Sequence, residues 1–259
     1  MTTAFPGPAN ARPSVFGVVG ELLITAGVLV MLFLAWQSWF NDIVVGAQQE
    51  SAASELSRQW EQPPAPLPAP DEPAPATTGV PTPVVAAPPV TVRPEVNVPF
   101  ATLIVPRLGA DYNRPIAEGV GSKVLNNSRI GIGHYPTTTM PGELGNFALA
   151  AHRSAYGGGF HYLNQLVIGD EMFVATADGW YRYVYRNTEY VRASGIGVLA
   201  PVPQFPDLAP ADRIITLTTC NPLYSTAERL IAYGVFAEFT PRSDGPPAAI
   251  ASLVHAGAA

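Results

Sequence analysis

Cysteine is nearly absent from this chain: Cys220 is the only one among 259 residues. An intramolecular disulfide is therefore excluded, and no Cys/His cluster has the spacing of a zinc site. Charge is scarce too, at 13% of residues, and no excess of positive charge exists. Lys and Arg total 14 against 20 Asp and Glu, a formal net charge of −6. Residues 97–242 hold 11 basic and 11 acidic side chains, so the whole acidic excess lies in the flanks. Nucleic-acid binding rests on neutralising phosphates with Lys and Arg, and a neutral segment between acidic flanks argues against it.

What the chain does have is a long apolar run followed by proline. From Val15 to Ala35 a single charge, Glu21, interrupts the hydrophobic residues. At 1.5 Å per residue the run would span roughly 31 Å, about the thickness of a bilayer's hydrocarbon core. Trp36 and Trp39 follow where aromatic rings favour the headgroup level. The alternative, a cleavable signal peptide, has an apolar region of only about 7–15 residues. Arg12 precedes the run, while Asp42, Glu50 and Glu55 follow it. The positive-inside rule then places the N-terminus in the cytoplasm and the rest outside. No second run of comparable length exists, so a single crossing is expected.

Residues 62–98 hold 12 of the 28 prolines. Proline fixes φ and removes a donor, so this stretch reads as an extended tether without a packed core. Residues 37–62 carry helix-compatible Gln, Glu, Ser and Ala, and can continue the anchor helix briefly. The expected layout is a cytoplasmic N-terminus at 1–14, a transmembrane anchor at 15–36, and an extracytoplasmic Pro/Ala-rich linker at 37–96. A folded domain at 97–242 and a flexible C-terminal tail at 243–259 complete it.

The folded segment reads as mainly β, a barrel or a sandwich. Residues 101–105, 146–151, 213–219 and 230–239 are apolar or alternating runs. Residues 171–177 and 180–185 flank Asp178-Gly179, a strong hairpin signal. His134, after Gly131-Ile132-Gly133, reads as part of a turn, and His161 as part of a short helix at 160–166.

Cys220 ends the run Ile214-Ile215-Thr216-Leu217-Thr218-Thr219 and precedes Asn221-Pro222, which a strand does not readily continue through. The thiol is either a buried small hydrophobe or a nucleophile opening onto a loop. A nucleophilic thiol needs a proton partner and a group that stabilises the oxyanion. Of four histidines, His255 lies in the tail, while His152 ends an apolar strand as Cys220 does. Arg229 opens the run after Cys220, where a permanently charged guanidinium suits an oxyanion or a peptide carbonyl. The ordinary alternative for Arg229 is a salt bridge with Glu228 or Glu238.

Together these residues resemble the sortases. Thr216-Leu217-Thr218-Thr219-Cys220 matches the family's Thr-Leu-x-Thr-Cys signature, and Arg229 follows at the spacing of its arginine. Ala148-Leu149-Ala150-Ala151-His152-Arg153 is similar to the strand carrying the family's histidine. Gly133-His134-Tyr135-Pro136, His152-Arg153-Ser154-Ala155-Tyr156 and Cys220-Asn221-Pro222 look most like class E members of actinobacteria. Ala151 departs from the glycine often found there.

The resemblance implies a single closed β-barrel of about eight strands with short helices. It also implies a membrane-anchored cysteine transpeptidase that attaches surface proteins to peptidoglycan. Cys220 would attack the Thr–Gly bond of a Leu-Ala-x-Thr-Gly-like or Leu-Pro-x-Thr-Gly sorting motif. His152 would move the proton, and Arg229 would hold the substrate backbone and oxyanion. The acceptor would be an amine of a peptidoglycan precursor or a pilin lysine. No metal or other cofactor is implied, and the carboxylate cluster of calcium-binding class A members is missing. Proximity in the expected fold suggests Thr218, Thr219, Tyr156 and Asn221 as substrate-binding residues. Residues 195–206 would form either a substrate-shaping lid or a plain surface loop. A membrane-anchored cysteine peptidase and an inactive surface-binding module remain the alternatives.

Overall fold

The computed structural model describes residues 14–36, 40–61 and 87–255. Residues 1–41 and 42–259 are two separate compact units. In the first, α1 (Val15–Ala35) starts at Ser14, whose hydroxyl accepts from the Gly17 amide at 3.1 Å. None of its residues is buried by protein, as expected of a helix whose apolar surface faces lipid. Phe33, Trp36 and Phe40 stack along its C-terminal side at 6.2 Å between successive ring centroids. Trp39 and tether residues 62–86 lie outside the described residues.

The second unit is a closed barrel with strand order β1-β2-β3-β4-β7-β8-β6-β5. Its strands are β1 (Pro99–Ile104), β2 (Asn113–Glu118), β3 (Ile132–His134) and β4 (Gly145–Ala151). The remaining four are β5 (Glu171–Ala175), β6 (Gly179–Arg192), β7 (Arg213–Asn221) and β8 (Glu228–Pro241). The Asp178-Gly179 signal marks the β5–β6 hairpin, and the apolar runs noted in the sequence form β1, β4, β7 and β8. The pairs β2–β3 and β4–β7 are parallel; every other pair is antiparallel. Alternate residues of each strand fill the interior, among them Leu103, Ile116, Phe147, Leu149, Tyr181, Tyr183, Ile215 and Leu217.

Three local expectations change. His134 is the last residue of β3 rather than part of a turn. Its Nδ1 lies 2.6 Å from the Glu118 carboxylate, which also accepts from Arg93 at 2.8 Å. This buried polar cluster stabilises a strand too short and glycine-rich to show an apolar pattern. His161 sits in a turn, while the short helix contracts to a 3-10 turn at Leu163–Gln165. The tail is not wholly flexible. Ile250 is fully buried against Ile104, Phe173 and Trp180, and a short helix, α3 (Ala251–His255), follows it. An aliphatic anchor among alanine and proline is enough to dock the segment.

Within residues 37–96, α2 (Asn41–Glu61) packs on the barrel through a stripe containing Gly46, Gln49, Ala53 and Ser57. The spacing of three to four residues puts them on one face, and the small size of Gly46, Ala53 and Ser57 lets the helix approach closely. It stops just before the first tether proline, Pro63. The far end of the tether also lies on the barrel: the Thr91 amide donates to Pro141 O at 3.0 Å, and Tyr181 donates to Pro89 O at 2.8 Å.

Burial holds the pKa of His134 below the ordinary histidine value, even though Glu118 pulls it upward. A depressed folded-state pKa means that the unfolded chain binds the extra proton first as pH falls. This contribution to stability is complete above pH 6.5 and is lost as pH drops toward the folded-state value. Thermal midpoints of the detergent-solubilised chain should fall between pH 7 and pH 5, with a smaller slope in His134→Gln. Equal slopes would show that His134 does not titrate in this way.

Candidate active site

The site is built where β4 and β7 end side by side. Their parallel ladder runs from Gly145 opposite Arg213 to Ala150 opposite Thr218. His152 and Cys220 each lie two residues beyond that last rung. One residue beyond it, the Thr219 hydroxyl donates to Ala151 O at 2.8 Å, tying the strand ends together. Adjacent strands lie about 4.8 Å apart, so this register brings the two side chains into one neighbourhood.

The side-chain period of two then decides which face they share. Ile215 and Leu217 point into the core, so Thr216, Thr218 and Cys220 project from the outer face of the barrel. On β8, Leu230 and Ala232 point inward, so Arg229, Ile231 and Tyr233 project outward beside them. Cys220 and Arg229 are directly opposite partners in the antiparallel β7–β8 ladder. Residues directly opposite in such a ladder hold their Cβ atoms about 4.5–5.5 Å apart. His152, Cys220 and Arg229 are all half-buried, sheltered but within reach of solvent.

Each side chain has identifiable support. His152 Nε2 lies 2.9 Å from Asn126 Oδ1, and its ring lies 5.1 Å from that of Tyr156. Burial lowers the pKa of His152 from the ordinary value, and the negative charge of Asp42 partly opposes that. Arg229 Nη1 donates to the carbonyls of Thr226 at 3.0 Å and Glu228 at 2.9 Å. Its hydrogen bonds among the described residues go to carbonyls, and it makes no ion pair there with Glu228 or Glu238. The guanidinium is thus braced along the loop between β7 and β8 while keeping other N–H groups available.

The four remaining candidates fall into different places. Thr218 is on the outer face, with its hydroxyl 3.1 Å from that of Tyr135. Tyr156 is exposed in the turn after His152. Thr219 is buried, and its hydroxyl is used in the tie to Ala151. The Asn221 side chain accepts from Arg153 and donates to Glu228 at 3.0 Å.

Sequence reasoning gave no role to Tyr135, Asn126 or Arg153. Arg153 also reaches Asn164 at 3.1 Å, bridging the segments that follow His152 and Cys220. These polar contacts depend on tertiary placement and leave no periodic trace. The loop between β6 and β7 contains a 3-10 turn at Ile196–Leu199. Asn146 donates to the carbonyls of Val198 at 2.9 Å and Ala200 at 3.1 Å, and accepts from Thr216 at 2.6 Å. That chain of hydrogen bonds fastens the loop over the outer face of β7. No group of three or more His, Cys, Asp or Glu able to hold a metal is found among the described residues.

Comparison with known proteins gives the family. The Sortase domain family matches residues 103–237, more than half of the chain. Sortase SrtE1 of Streptomyces coelicolor is 36% identical over 241 residues, covering 90% of this chain. The matched region is 60% of that relative's own length. Sortase SrtE2 of the same organism is 28% identical and is covered over 88% of its length. Among solved structures, the SrtA sortase from Actinomyces oris superposes with a TM-score of 0.59 at 40% identity, covering 62% of this chain and 92% of that one. Sortase E1 from Streptomyces coelicolor, solved with a tripeptide in its active site, gives a TM-score of 0.55 at 39% identity, over 60% and 97% of the two chains. Helix α1 is the membrane-spanning anchor, and the barrel is extracytoplasmic. With its eight-stranded barrel and close resemblance to the class E members, the chain belongs to the sortase family.

Proposed function

We propose that this protein is a cysteine transpeptidase that attaches surface proteins to the cell wall, with Cys220 as nucleophile, His152 as acid and base, and Arg229 as the oxyanion and backbone clamp. The observation that carries the proposal is the register: two strand pairings bring the three side chains to one end of one outer face. The nucleophile's other neighbours on that face, Thr218 and Ile231, are buried, Ile231 in a cluster with Val198 of the β6–β7 loop.

The reaction divides into two acyl transfers. The Cys220 thiolate attacks the threonine carbonyl carbon of a sorting motif, and the oxyanion forms beside the Arg229 guanidinium. Collapse breaks the Thr–Gly bond. The imidazolium of His152 gives its proton to the departing glycine amine, leaving a thioester. An incoming amine then attacks the thioester, His152 accepts its proton, and the thiolate departs. The acceptor is an amine of a peptidoglycan precursor, and the preferred motif is Leu-Ala-x-Thr-Gly, in keeping with the class E resemblance.

Full-length protein in detergent, given Leu-Ala-x-Thr-Gly or Leu-Pro-x-Thr-Gly peptides and an amine, should yield an amine-ligated product cut between Thr and Gly. Mass spectrometry should find no such product with Cys220→Ala. Cleavage without ligation would point instead to a peptidase, and no cysteine-dependent reaction to a binding module. Lys at position 229 keeps the charge but loses the planar fork, so Arg229→Lys should lower kcat/KM by roughly 10²-fold with little change in thermal midpoint. Near-normal activity would remove Arg229 from this role.

The pH profile carries a further expectation. Burial lowers the pKa of His152 below the ordinary histidine value of 6.5, so its imidazole loses its proton below that pH. The acid limb of kcat/KM should therefore fall below pH 6.5, activity rising as pH increases through it. An acid limb above pH 7 would contradict the assigned environment.

A further inference from the structure

The turn after His152 has a conformation that its own sequence does not favour. Four successive residues have positive φ: Ala155 at 73°, Tyr156 at 50°, Gly157 at 86° and Gly158 at 52°. Two are not glycine, and for them the left-handed region carries a steric cost. Such a run persists when surrounding groups hold it, and here they come from α2. The Asp42 carboxylate accepts from the Ala155 amide at 2.9 Å and from the Gly157 amide at 3.1 Å. Gln49 Nε2 donates to Tyr156 O at 3.0 Å, capturing the carbonyl between those amides.

Gln49 reaches a second support of His152. The same Nε2 donates to Asn127 O at 3.2 Å. Asn127 follows Asn126, whose side-chain oxygen lies 2.9 Å from His152 Nε2. Gln49 is fully buried, and the barrel is shaped around it. A Cβ at Gly131 would come within 2.3 Å of its side chain, and one at Gly157 within 2.9 Å. Either position would also require an unfavourable positive φ of any other residue. One helix therefore grips both walls of the imidazole: the turn that carries Tyr156, whose ring lies beside His152, and the loop that carries Asn126.

We propose that α2 supplies two positioning residues for catalysis, Asp42 and Gln49, which fix the orientation of the His152 imidazole by holding the Tyr156 turn and the Asn126 loop. The proposal rests on the transpeptidase reading for its kinetic consequence, though not for its structural one. The segment immediately after the membrane anchor is then a working part of the active site rather than a spacer. Neither residue touches substrate. Their loss leaves peptide binding nearly intact and lowers the fraction of molecules whose imidazole points at the reacting atoms.

The test uses the full-length chain in detergent micelles with Asp42→Ala, Asp42→Asn, Gln49→Ala and Trp60→Ala. Trp60 lies at the other end of α2 against the cluster of Ile104, Phe173 and Trp180, so its loss loosens helix docking away from His152. Asp42→Ala and Gln49→Ala should each lower kcat by about tenfold with KM changed less than twofold. Asp42→Asn, which retains an acceptor oxygen, should recover part of the loss. Trp60→Ala should reduce the thermal midpoint while leaving kcat within twofold. NMR of the ¹³C-labelled histidines should show the His152 ring signal shifted or broadened in Asp42→Ala and Gln49→Ala, with that of His134 as the internal reference. An unchanged His152 signal in both variants would overturn the proposal. So would a kcat loss that merely follows the loss of folded protein, as Trp60→Ala would then show as well. The NMR result decides the positioning role even if the wild-type chain transfers no acyl group, so failure of the proposed activity and failure of this inference are separable.

Discussion

The parallel pairing of β4 with β7 is the constraint on which the site depends. Side chains alternate along each strand, so a slip of one residue would turn Cys220 toward the core and carry His152 out of step. Several contacts oppose that slip. Interior packing of Phe147 and Leu149 with Ile215 and Leu217 selects the face. The Thr216–Asn146 hydrogen bond fixes the middle of the pair, and the Thr219–Ala151 bond fixes its end. Three threonines in the signature thus have separate duties: Thr216 and Thr219 lock the register, while Thr218 stays on the outer face near Tyr135. The signature residues specify strand position as well as chemistry.

A closed barrel suits this purpose because it leaves no free edge and tolerates very little sliding. Flexible pieces are then added from outside and tied down individually. The β6–β7 loop is fastened by Asn146, the turn after His152 by α2, and the loop before β8 by Arg229 itself. The proposed reactive side chains sit at strand ends, where the backbone is rigid on one side and free to meet a substrate on the other.

Much of this was legible in the sequence, and the parts that were not share a cause. Apolar runs announced β1, β4 and β7, an alternating one announced β8, and Asp178-Gly179 announced the β5–β6 hairpin. The signature ending at Cys220, with His152 and Arg229, gave the candidate site through resemblance, since spacing alone left each residue with an ordinary explanation. Strand β2 carries Pro115, and β3 is three residues long with a central glycine, so neither shows a strand pattern. Both exist because neighbouring strands and the Glu118–His134–Arg93 cluster hold them. Helix α2 has helix-compatible residues, but nothing in its sequence says that Gln49 is buried or that Asp42 reaches a turn 113 residues away. Contacts of that separation are set by the assembled barrel, and periodicity cannot report them.

The central claim is that Cys220 forms an acyl-enzyme because the strand register sets it beside His152 and Arg229. Its most direct test is to expose the full-length protein to a Leu-Ala-x-Thr-Gly peptide without any amine, quench in acid, and measure intact mass. The account predicts an adduct equal to the peptide lacking its glycine-side fragment, mapped to Cys220 and released by hydroxylamine. A protein that retains its unmodified mass while the peptide is consumed, or an adduct that maps to any residue other than Cys220, would contradict it.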